Sequence, residues 1–66
     1  MVIKNMTVPE LNYYRDNCNF VGNEIEVFEY RSQGVSLERI AEYVGLTYDG
    51  VKYVSRKINS KISRVQ

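Results

Sequence analysis

The stretch that most narrows the fold runs from Leu37 to Ile62. Leu37, Ile40, Ala41 and Val44 recur at three- and four-residue intervals, which places them on one face of a 3.6-residue helix. Gly45 follows at once. Glycine enters the left-handed conformation without a Cβ penalty, so the helix is expected to end there. Leu46 is placed to plug the gap, and the Thr47 hydroxyl can accept a bond from a free amide at the start of the next helix. Val51, Val54, Ile58 and Ile62 then rebuild an apolar stripe. Ala41 is small enough to let the two helices cross closely at a steep angle. Residues 36–63 therefore predict a helix over 37–44, a three-residue turn and a helix over 48–63, a helix-turn-helix arrangement.

The rest of the chain supplies two more helices. Thr7-Val8-Pro9-Glu10 reads as a helix start, because proline in the first turn gives up an amide that would be unpaired anyway. A helix over about 9–17 carries Leu11, Tyr14, Arg15 and Cys18 roughly on one side, and Asn17 and Asn19 favour its end. Phe20 and Val21 are expected to anchor the following loop. Gly22-Asn23 opens a helix over about 23–33, with Asn23 as its cap and Glu24 and Glu26 at its positive end. Ile25, Phe28 and Ser32 form one stripe on it, and Val27, Tyr30 and Arg31 another. Gly34 ends it and Ser36 caps the third helix. Residues 1–8 show no period and read as a flexible arm.

These signals make the chain an all-α, tetrahelical bundle forming a single domain over 1–66. Composition agrees: 44% apolar and 26% charged residues belong to a globular rather than a disordered chain. Sixty-six residues bury only about 60% of the unfolded surface, so the core is thin. No apolar run is long enough to span a membrane, and Met1–Met6 lacks the long apolar core of a signal peptide. The lone Cys18 cannot staple the fold and reads as a small, half-buried apolar residue, which points to a reduced, cytoplasmic setting.

The net charge of +1 argues against indiscriminate binding to nucleic acid, but its distribution is uneven. Residues 1–33 hold three basic against five acidic side chains, a net of −2, whereas 34–66 hold six against three, a net of +3. No acid follows Asp49. With Val51, Val54, Ile58 and Ile62 facing inward, Asp49, Tyr53, Arg56 and Ser60 fall on the opposite face, flanked by Lys52 and Lys57. A helix of that kind suits the major groove of double-stranded DNA. Tyr48, Asp49, Lys52, Tyr53 and Arg56, in its early turns, are the candidates for base contacts. Arg56 or Lys52 would suit guanine, and Asp49 a cytosine amine. Ser36, Arg39, Thr47, Lys57, Lys61 and Arg64 are the candidates for phosphate contacts.

Each group also has a plainer reading. Lys57, Lys61 and Arg64 can solvate a helix face and balance its dipole, and Asp49 suits the positive end of that dipole. Tyr43, Tyr48 and Tyr53 can be rim packing. Gly50 costs about 1 kcal/mol in a helix interior relative to alanine, so it marks either a close approach to DNA or an irregular first turn. Glu24, Glu26 and Glu29 look like a solvated face. There is no histidine, phosphate loop or nucleophile–base constellation, so neither an enzyme nor a cofactor or metal site is expected.

Across Val27–Thr47, and most of all at Ile40-Ala41-Glu42, Gly45-Leu46-Thr47 and Val51-Lys52, the sequence resembles LuxR/GerE-type DNA-binding domains and the C-terminal, promoter-reading domain of bacterial sigma factors. The likeness covers roughly residues 23–62. It implies a tetrahelical fold with 48–57 as recognition helix and with Thr47, Lys52 and Arg56 at positions that often touch DNA. Ser32, Gly50 and the sigma-like Tyr30-Arg31 depart from the LuxR pattern, and no fifth, dimerising helix is expected. The expected function is that of a bacterial or phage transcription regulator, pairing as a homodimer through helix 9–17. The rival is a sigma-like module that binds RNA polymerase or another regulator through Tyr13, Tyr14 and the acidic second helix.

Overall fold

A computed structural model describes residues 3–66. After a short 3-10 helix at Ile3–Asn5 come α1 (Val8–Asn17), α2 (Asn23–Ser32), α3 (Leu37–Val44) and α4 (Tyr48–Val65), with no strand among the described residues. The four expected helices are present, with ends within two residues of their expected places.

Capping chemistry explains the boundaries. The Thr7 hydroxyl accepts from the Glu10 amide, and the Glu10 carboxylate accepts from the Thr7 amide at 2.9 Å, a reciprocal capping box. The two Thr7 hydrogen bonds hold the Glu10 carboxyl below its usual pKa. Ser36 accepts from the Arg39 amide at 3.3 Å and Thr47 from the Gly50 amide at 3.0 Å. The first turn of α4 is regular, and a Cβ added at Gly50 would meet the Thr47 hydroxyl at 3.2 Å. Gly50 is thus the residue that leaves room for its own cap.

Gly45 closes α3 with φ 74° and ψ 30°, and its amide and that of Leu46 both donate to the Ala41 carbonyl. An added Cβ at Gly45 would meet nothing within 4 Å, so Gly45→Ala should lose only backbone energy, about 1–2 kcal/mol. In a domain of this size that lowers Tm by about 4–8 °C per kcal/mol, readable by thermal circular dichroism. An unchanged Tm would mean that the turn does not need its left-handed residue.

The core lies where α2, α3 and α4 meet. Val27 and Phe28 of α2, Ile40 of α3, and Val51, Ile58 and Ile62 of α4 are fully buried. Ile3, Tyr14, Cys18, Phe20 and Ala41 complete it, and Phe20 stacks on Phe28 with ring centroids 4.8 Å apart. The last helix packs against each of the other three, and α1 grips its far end through a Tyr13 hydroxyl bond to the Val65 carbonyl at 3.0 Å.

Several expectations need correction. The arm is not loose over its described part: Ile3 is a core residue, held there as the 3-10 helix packs on α2. Residues 1 and 2 lie outside the described residues. The cap of α2 is Gly22, at φ 56° and ψ −130°, not Asn23, which is already in the helix. Glycine tolerates that backbone; no side chain caps the helix, and the Glu24 carboxylate instead holds the preceding residue by accepting from the Val21 amide at 3.1 Å. Val21 is exposed while Phe20 alone anchors the loop, and Ile25 is half exposed because the inward face of α2 is centred on Val27 and Phe28. Glu24 is buried rather than solvated, and Glu29 pairs with Arg15, their second hydrogen bond measuring 2.9 Å.

Candidate nucleic-acid interface

The Thr47 cap starts α4 beside the end of α3, and the stripe Val51, Ser55, Ile58 and Ile62 seats it on the core. That seating turns the opposite side to solvent. Tyr48, Asp49, Tyr53 and Arg56 are exposed and Lys52 is partly so. The five residues expected to face bases therefore share the outward side of the first turns. Lys52 Nζ lies 5.5 Å from the centre of the Tyr48 ring and Lys57 Nζ 5.3 Å from that of Tyr53. Cation–π attraction keeps both ammonium groups against the helix without neutralising them. Tyr43, read as rim packing, stacks on Tyr30 with centroids 5.2 Å apart.

Further along, Tyr53, Arg56, Lys57, Ser60, Lys61 and Arg64 line a shallow groove of about 410 Å³. Its cations are not equivalent. Arg56 and Arg64 are exposed and have no ion pair among the described residues. Lys57 is half exposed and lies 3.6 Å from a Glu24 oxygen. Lys61 is turned inward, donating to the other Glu24 oxygen and, at 3.1 Å, to the Asn19 carbonyl. It is therefore an internal tie more than a free phosphate ligand. Its register one turn after Lys57 suggested a continuous basic face, but the α2 carboxylate beneath that turn draws it in.

The Glu24 carboxyl is held below its usual pKa. Burial, the largest influence, pushes it up. The Lys61 hydrogen bond, the Val21 amide and the charges of Lys61 and Lys57 together outweigh burial. Burial raises the Cys18 thiol, with Lys61 opposing weakly, so Cys18 is a packed thiol beside this junction.

Ser36 and Arg39 sit at the exposed start of α3. Ser36 lines a second concavity, of about 300 Å³, together with Lys4, Arg31 and Ser55. The Arg31 guanidinium donates to Ser55 Oγ at 2.7 Å and Asn59 Oδ1 at 3.0 Å, tying α2 to α4. Burial lowers its pKa. Neither Lys4 nor Arg31 was a sequence candidate. Lys4 lay in a segment without period. Arg31 did carry a signal: its helical neighbours Val27, Phe28, Gly34 and Val35 include no acid, so nothing on its own surface would pair with it. No helix among the described residues is long and apolar enough to cross a membrane. No protein-family model, curated protein or solved structure matches the chain.

Proposed function

We propose that the protein binds double-stranded DNA by laying α4 in the major groove and acts as a transcription regulator in the cytoplasm. The observation that carries this reading is the two-sided character of α4. One side is sealed into the core by Val51, Ile58 and Ile62, and the other presents Tyr48, Asp49, Lys52, Tyr53 and Arg56 to solvent, with no acid after Asp49. Side chains of this kind on the early turns can reach base edges, while Thr47, Lys57 and Arg64 along the flanks suit phosphates. The likeness to LuxR/GerE-type and sigma-factor C-terminal domains supports the same docking. A single module of this size has few contacts. A second copy on an adjacent half-site about one helical turn away would add affinity through linkage, with α1 as the pairing surface.

Selection of bound sequences from random duplex DNA, followed by anisotropy titration on the selected site, tests the reading. The double variant Lys52→Ala, Arg56→Ala should lose about 2–6 kcal/mol of binding if each contributes a bidentate base contact, and wild-type affinity should fall steeply with salt. The symmetry of the selected sites reports whether two copies bind. Equal affinity of parent and variant for every duplex, with capture of RNA polymerase by both, would favour the protein-interaction module instead. The geometry offers that rival less: Tyr14 is buried and Glu24 and Glu29 are already paired, which leaves Tyr13 and Glu26 as the exposed side chains it would use.

A further inference from the structure

We propose that the concavity bounded by the 3-10 helix, the α2–α3 turn and α4 is a phosphate-binding site whose cations are Lys4 and Arg31. Its volume, about 300 Å³, is ample for one tetrahedral oxyanion. Ile3, Val35 and Leu37 contribute apolar wall, which weakens solvent screening of any charge held there. Arg31 is held in place: its Nη1 donates to Ser55 and Asn59, while Nε and Nη2 have no hydrogen-bond partner among the described residues. No buried side-chain nitrogen or oxygen lacks a hydrogen bond among the described residues, so that free edge is reached by solvent, and Arg31 lines the concavity. The Lys4 side chain lies across Gly34, its Cδ 3.8 Å from where a Cβ on that glycine would sit. That is ordinary van der Waals contact; what favours glycine at position 34 is its φ of 82°, not lack of space.

Charge balance points the same way. The ion pairs of the described residues involve Arg15, Lys57 and Lys61 with Glu29 and Glu24, and none reaches Lys4 or Arg31. Two cations thus meet at one concavity with no carboxylate within 4 Å, in a chain whose acids nearly balance its bases. A phosphate, carrying between one and two negative charges near neutral pH, neutralises such a pair. The Ser36 oxygen accepts from the Arg39 amide, which leaves its hydroxyl proton to donate to the same anion. The two sources of that chemistry are a backbone phosphate of duplex DNA and a free phosphorylated small molecule. The first rests on the DNA reading above and the second does not.

The test uses the whole chain and the variant Lys4→Gln; the Lys4 side chain is exposed and makes no hydrogen bond among the described residues. Inorganic phosphate is titrated against ¹⁵N-labelled protein, with chloride at matched ionic strength as control. Saturable shifts at the Lys4, Gly34, Ser36 and Leu37 amides and the Arg31 Nε–H, weakened several-fold in Lys4→Gln, support the site. In parallel, duplex affinity is measured against salt. If Lys4→Gln weakens binding to all sequences alike and reduces the salt slope by about one, the source is a DNA phosphate. Phosphate saturation with unchanged duplex binding assigns the site to a free phosphorylated ligand. Non-saturating shifts spread over all the lysines and arginines, with Lys4→Gln neutral toward duplex, overturn the proposal. Should the protein bind no DNA at all, the phosphate titration decides alone.

Discussion

Phe28→Ala should remove a large share of the protein's stability at 25 °C. Phe28 is fully buried at the junction of α2, α3 and α4 and stacks on Phe20. Truncating such a ring costs about 3–5 kcal/mol through lost transfer energy and the cavity left behind. At about 0.05–0.15 kcal/mol per residue, a chain of 66 residues has only about 3–10 kcal/mol in total. Urea titration followed by circular dichroism measures the loss. The informative control is Ile25→Ala, three residues earlier on the same helix. Ile25 is 51% exposed, so its truncation should change stability by no more than about 0.5 kcal/mol. Similar losses at the two positions would mean that α2 is rotated from the orientation described.

The second large effect is expected at Glu24. Its carboxylate accepts from Lys61 and from the Val21 amide and lies near Lys57, with the side chain only 4% exposed. Glu24→Gln removes the charge while keeping the shape: the amide oxygen can still accept a hydrogen bond, but the Lys61 ammonium is left with neutral acceptors, that oxygen and the Asn19 carbonyl, in place of its ionic partner. Losing one partner of a buried pair costs up to about 3–5 kcal/mol. Here about 2–3 kcal/mol is expected, because Lys57 is half exposed and its share is screened.

The same pair sets the acid response. The folded pKa of Glu24 lies below the ordinary value of 4.5, so the folded state favours the charged form. Its stabilisation is complete above about pH 4.5 and is lost as pH falls through the lower, folded pKa. Glu10, depressed by its Thr7 hydrogen bonds, acts in the same direction. Wild-type stability should therefore decline in acid. The gap between wild type and Glu24→Gln should narrow there, since a protonated Glu24 resembles glutamine. A gap that stays constant from neutral pH into acid would show that the carboxylate charge is not what stabilises the junction.

The contrast between α3 and α2 explains which parts of the fold could be read from the sequence. The bounds of α3 followed from local chemistry: a serine cap, four apolar positions on one face and a glycine at the exit. The inward face of α2 was misread although it obeys the same spacing. Glu24, Val27, Phe28 and Arg31 occupy one helical face, but its two ends are charged, and an apolar search chose Ile25 in place of Glu24. What makes those charges tolerable inside are partners 24 to 37 residues away on α4, and no local pattern announces them. The outward side of α4 was legible because it is the complement of an unambiguous apolar stripe. The inward turn of Lys61 was not, since it depends on where α2 lies beneath the groove. Ile3 escaped notice for a related reason: one anchoring side chain has no period.

That α4 supplies the partners of every other helix has a consequence for synthesis. Residues 1–47 contain α1, α2 and α3, yet the fully buried Val51, Ile58 and Ile62 of the core all come later, and Arg31 and Glu24 have no charged or side-chain partner until Ser55, Asn59 and Lys61 arrive. On the ribosome α4 must therefore emerge as far as Ile62 before the core is complete. A stalled or truncated product that lacks α4 exposes an unburied phenylalanine and unmatched charges that quality-control proteases can find.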